Sequence, residues 1–220
     1  MLVSGCGGGG GSGDSPVPPA SQPVAVTRFP VGNIVTQLVT RGGTFTGKHM
    51  DASSNPSTIS VIYAPGPAGW VTRRQSITAT SAVPAPSQFI VGFLMPADLF
   101  QVTGFTSNTS DNALLTQSKP LPAAADVGSR DNLFKGSLLI QNNGINTVDI
   151  GLTHNLSYDW SLDAVNNTTA DLCLSLQESA DFITNTTVDC FRIDAKGTVL
   201  AFKSILRVRA KSIDFQTVYE

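Results

Sequence analysis

The sequence predicts an all-β domain: an antiparallel sandwich, or a jelly-roll-like fold, with a few short helical turns. Three observations predict it. Segments rich in β-branched and aromatic residues recur, divided by Gly, Pro and Asn turn signals. The stretch Asn155 to Ala164 alternates apolar and polar residues without a break, the signature of a half-buried strand. Almost no segment carries its apolar residues at the helical period.

In chain order, residues 1–23 are unlike the rest. Gly7 to Gly11 is an unbroken glycine run followed by Ser12-Gly13, a flexible composition. Pro16, Pro18, Pro19 and Pro23 then make the second half stiffer and extended. Residues 24–220 are the folded part. Ile34 to Thr40 is β-branched and apolar and reads as a strand, Gly42-Gly43 as a two-residue turn, and Thr44-Phe45-Thr46 as the start of the return strand. Ser53 to Pro56 reads as a loop and Thr58 to Tyr63 as a strand closed by Pro65-Gly66-Pro67. Trp70 to Thr80 and Gln88 to Met95 follow as strands. Asp98 to Gln101 and Asp111 to Gln117 read as short helical turns, the second with Asp111 as a cap. Lys119 to Asp131 is a Pro- and Ala-rich loop that divides two halves of one sandwich, or two small domains.

The second half is more regular. Leu133 to Asn142 reads as a strand and Asn142-Asn143-Gly144 as a turn. Leu156, Tyr158, Trp160, Leu162 and Ala164 share one side of the next strand, with Asn155, Ser157, Asp159, Ser161 and Asp163 on the other. Asn166-Asn167 ends it. Leu172, Leu174 and Leu176 repeat the pattern, as do Leu206, Val208 and Ala210, and Ala195-Lys196-Gly197 marks a turn.

Val3-Ser4-Gly5-Cys6 resembles the lipobox of bacterial lipoproteins, with small residues just before the cysteine. The resemblance implies cleavage before Cys6 after an export signal, and acylation of Cys6. Gly7 stands where Asp marks inner-membrane retention in many such proteins. The resemblance therefore implies the outer membrane, facing periplasm or exterior. Two or more acyl chains hold stably where one holds marginally, and no apolar run here is long enough to span a bilayer as a helix. Of three cysteines, Cys173 and Cys190 remain once Cys6 is assigned. An even remainder in an exported protein suggests a disulfide, two buried free thiols being the alternative. A simple hairpin placing Cys173 opposite Cys190 would also set Leu174 opposite Asp189. Either the register differs or the bridge links two sheets.

The charges bound the partners. The formal net charge is −2, only 14% of residues are charged, and residues 1–27 contain no Lys or Arg. Nothing there attracts nucleic acid. A self-assembling, coat-like jelly-roll subunit is the alternative class, and a glycan-binding module a third. No cofactor motif is present. The two histidines, His49 and His154, lie far apart, there is no Gly-x-Ser-x-Gly elbow, and no His/Cys spacing suits zinc, so the chain reads as non-enzymatic.

Possible ligand-binding residues are few. Trp70, with Arg73 close behind, could stack on a sugar ring. Arg207, Arg209 and Lys211 alternate with Leu206, Val208 and Ala210 and so share one strand face. That stripe could meet an acidic envelope glycan or a phosphate. It could equally pair with the acidic segment Asp149 to Asp194, or guard a sheet edge. The acidic segment could offer oxygen to calcium, but its spacing matches no calcium loop, and a solvated face is the simpler reading.

Overall fold

The computed structural model describes residues 26–50, 56–79, 88–94, 104–107, 112–142, 145–147, 154–180, 183–211 and 213–220. Cys6, the Gly/Pro segment and the turn expected at Asp98 to Gln101 lie outside them. So do most of the Ser53 to Pro56 loop, Asp111 and the side chain of His154.

The fold is an antiparallel, all-β sandwich-like arrangement with one α-helix among the described residues. A short pair, β1 (Arg28–Phe29) and β8 (Ala125–Asp126), stands apart. The smaller sheet has five strands in sequential order: β2 (Gly43–Met50), β3 (Pro56–Pro65), β4 (Trp70–Ala79), β5 (Gln88–Leu94) and β6 (Gly104–Ser107). The larger has eight. In it β9 (Arg130–Asn142) pairs with β7 (Asn112–Ser118), β10 (Ile145–Thr147) and β11 (His154–Ala164). Beyond β11 follow β12 (Thr169–Ala180), β13 (Ile183–Asp194), β14 (Val199–Ala210) and β15 (Ile213–Tyr219), each beside its predecessor. Sequential neighbours make two meanders rather than the interleaved Greek keys of a jelly roll.

The sheets also meet at an edge. The backbone N–H of Lys48 in β2 donates to Glu220 O at 2.8 Å, and the Glu220 N–H returns to Lys48 O at 3.0 Å. Gly47 permits this approach, since a Cβ there would come within 2.9 Å of Tyr219.

The inner faces follow the alternation read from sequence. Leu156, Tyr158, Trp160 and Leu162 are buried from β11, and Ala170, Leu172, Leu174 and Leu176 from β12. Ala164, placed by its parity on the same side, is exposed at the strand's end. Ile59, Val61, Tyr63 and Val71 meet them from the smaller sheet, in one continuous core.

Two expected elements are different. Ile34 to Thr40 is not a strand: α1 (Val31–Thr40) is a helix, with Val31, Ile34, Val35 and Leu38 buried. Those positions are i, i+3, i+4 and i+7, one apolar helical stripe. The β-branched residues favour a strand locally, but the stripe lies against β3 and β4, and packing decides. Gly42, with φ of 70°, follows the helix and turns the chain into β2. From residue 112 the turn expected at Asp111 to Gln117 is likewise not helical, because residues 112–118 form β7 and are held by β9. The capping signal of Asp111 is local, and the partner strand that overrides it is distant.

Candidate functional site

The register of β12 and β13 is that of the simple hairpin, and the expectation of a shifted register or of a bridge between two sheets is not met: Cys173 stands opposite Cys190, and Leu174 opposite Asp189. The two cysteines form a disulfide across the hairpin on the outer face of the larger sheet. Asp189 therefore points inward, and it is 2% exposed. Its companions explain it. Arg73, 3% exposed on β4, donates from Nε to Oδ2 at 2.6 Å and from Nη2 to Oδ1 at 2.8 Å. The hydroxyl of Tyr63, the β3 neighbour of Arg73, donates to Oδ2 at 2.6 Å. Ser204, the β14 neighbour of Asp189, donates to Oδ1 at 2.9 Å. Gln75 Oε1 accepts from Arg73 Nη2 at 2.9 Å. Burial alone would lower the Arg73 pKa, but the Asp189 charge and hydrogen bonds outweigh it and hold the guanidinium firmly protonated. Tyr63 and Tyr158 are pushed well up, first by burial and then by the Asp189 charge, so both stay neutral. This is a structural clamp between the sheets, closed to solvent.

The sequence-chosen ligand residues are not brought together. Arg73 faces the core while Trp70, three residues earlier, has the opposite parity and lies half-buried on the other face of β4. Arg207 and Arg209 do share an outer face, but each reaches Asp214 of β15, Arg207 Nε donating at 2.8 Å and Arg209 Nε at 3.4 Å. Their partner is thus a carboxylate on the next strand, not the acidic segment, and β14 has a neighbour on either side and is no edge. Lys211 is exposed in the turn that follows.

The acidic segment is dispersed. Asp159 accepts from Asn132 at 2.7 Å, Asp171 binds Arg192 at 2.9 Å, and Asp194 accepts the backbone N–H groups of its own turn. Among the described residues no three His, Cys, Asp or Glu side chains gather as a metal site would need. His49 is engaged by its Nδ1 with the carbonyl of Val218 at 3.0 Å.

Glu178 behaves differently. It extends the buried face of β12 beyond Leu172, Leu174 and Leu176, so its side chain has core parity. It lines a cleft of about 210 Å³ between the sheets with Gln75, Ile77, Leu176, Leu206 and Val208. Its Oε1 is buried and has no hydrogen-bond partner among the described residues. Burial, with no opposing charge, pushes its carboxyl above the usual glutamate range. Its place in the acidic segment Asp149 to Asp194 predicts a solvated acid instead. The available signal was parity, a charge where the strand's repeat calls for an apolar residue.

Beyond the cleft the inner face of the larger sheet carries exposed apolar side chains among the described residues. Ile183, Val208 and Phe215 are 48%, 38% and 58% exposed, and Val208 and Phe215 are direct cross-strand neighbours. At the opposite end, the chain enters beside the β11–β12 turn, where Val26 N–H donates to Asn167 O at 2.8 Å. From Thr169 to Glu178 the strand covers roughly 30 Å.

The fold and its interior define a bridged, two-meander β-sandwich with an open apolar end. Compared with protein-family models, curated proteins and solved structures, the chain matches none.

Proposed function

We propose that the chain is a non-enzymatic, lipid-anchored lipoprotein, a β-sandwich module held at the outer membrane through acylated Cys6. The observation that carries this reading is the partition of the cysteines. Two of the three are bridged within the folded body, and the third stands in Val3-Ser4-Gly5-Cys6 ahead of the glycine run. A bridged pair suits an oxidising compartment outside the cytoplasm. The interior supports a binding or structural role, because its strongest charge pair is sealed from solvent and the Asp189 carboxylate takes donors from Arg73, Tyr63 and Ser204, with Arg73 Nη1 alone left without a partner among the described residues.

The test is metabolic labelling with a radioactive fatty acid, followed by detergent partitioning, in protein expressed from its natural gene. Wild type should carry label and enter the detergent phase. Cys6→Ser should carry none and stay aqueous. A Cys6→Ser variant that partitions with detergent as wild type does would overturn the proposal.

A further inference from the structure

We propose that the open end of the sandwich is a binding cleft for a small amphiphilic cation, an ammonium head on a compact apolar body, with Glu178 as its counter-charge. The inference rests on the folded body and is independent of the anchor.

Size comes first. An engineered apolar cavity of about 150 Å³ takes benzene. A cleft of about 210 Å³ therefore suits a ligand on the order of ten non-hydrogen atoms. Ile77, Leu176, Leu206 and Val208 supply the apolar wall.

Polarity comes second. A buried carboxyl oxygen ordinarily has a donor, and Glu178 Oε1 has none among the described residues. The one basic residue among those lining the cleft, Arg207, is paired with Asp214. A ligand with N–H donors and positive charge would complete the carboxylate, whereas an anion would meet its repulsion. The exposed Val208 and Phe215 form an apolar approach to the cleft. For an anchored chain this mouth lies at the end of the sandwich away from the entering N-terminal segment.

The experiment titrates the full chain with three molecules of one shape: benzylammonium, benzyl alcohol and benzoate. It follows the methyl resonances of Ile77, Leu176, Leu206 and Val208 by NMR. Benzylammonium should bind on the order of tenfold more tightly than benzyl alcohol, and benzoate more weakly still. In Glu178→Gln the preference for the cation over the alcohol should vanish. Val208→Phe, at a partly exposed position, should fill the mouth and weaken both ligands, which keeps the test informative if the glutamine variant folds poorly. Equal binding of cation and alcohol by wild type would overturn the proposal. So would shifts confined to another surface, or an unchanged preference in Glu178→Gln.

Discussion

Asp189 shows how a single residue joins the two sheets. Taking a carboxylate and a guanidinium out of water costs several kcal/mol per ion, and only close geometry with further hydrogen bonds offsets it. The bidentate contact with Arg73 and the hydroxyls of Tyr63 and Ser204 supply that geometry. Removing one partner leaves the other charge buried alone, which costs about 3–5 kcal/mol. Asp189→Leu should therefore destabilise the protein by about that amount, and Arg73→Met by somewhat less, since the aspartate keeps its two hydroxyl donors. The double variant Arg73→Met/Asp189→Leu should recover much of the loss. Urea denaturation of the four proteins measures the cycle. Costs that simply add would show that the two residues do not act as a pair. This clamp was half legible in the sequence. The clash of Asp189 with Leu174 was visible once Cys173 faced Cys190, but the answer lies 116 positions away on the other sheet. No local pattern reports a partner at that distance.

Among the elements, β11 was the most legible and α1 the least, while the faces of the β12–β13 hairpin were legible and its register was not. Ala170, Leu172, Leu174 and Leu176 announce one face, and Cys173 and Cys190 pair on the other. Alternation is strong there because a central strand with one covered face tolerates no register slip. In α1 two signals compete. Val31, Ile34, Val35, Thr36, Val39 and Thr40 are β-branched, while the burial stripe is helical. Only the surface presented by β3 and β4 settles the contest, and that is a tertiary fact. The bridge itself should act on stability rather than chemistry. Cys190 is buried and the bonded residues are 17 positions apart, so the bond constrains the unfolded chain. Reduction should lower the unfolding free energy by about 3 kcal/mol while leaving the far-ultraviolet circular dichroism of the native protein unchanged. Guanidinium melts with and without reductant measure it, and mass spectrometry of a non-reduced digest confirms the pairing. Coincident melts would count against a stabilising bridge.

At the scale of the whole molecule, the core recognises no boundary at residues 119–131. Phe29, Ile59, Val61, Tyr63 and Val71 precede that loop, Leu133, Leu156, Leu172 and Phe191 follow it, and all belong to one cluster. Leu121 and Ala125 within the loop are themselves buried in it. The Arg73–Asp189 clamp crosses the same line, as do the backbone bonds from Lys48 to Glu220. Neither half can cover its apolar face alone, and each would keep one buried charge without its counter-ion. The protein should therefore unfold in one transition, with the calorimetric enthalpy equal to the van't Hoff enthalpy. For the same reason residues 24–118 and 132–220, expressed separately, should give collapsed NMR spectra. Two resolved heat-capacity peaks, or a dispersed spectrum from either fragment alone, would divide the molecule where the proline-rich loop runs.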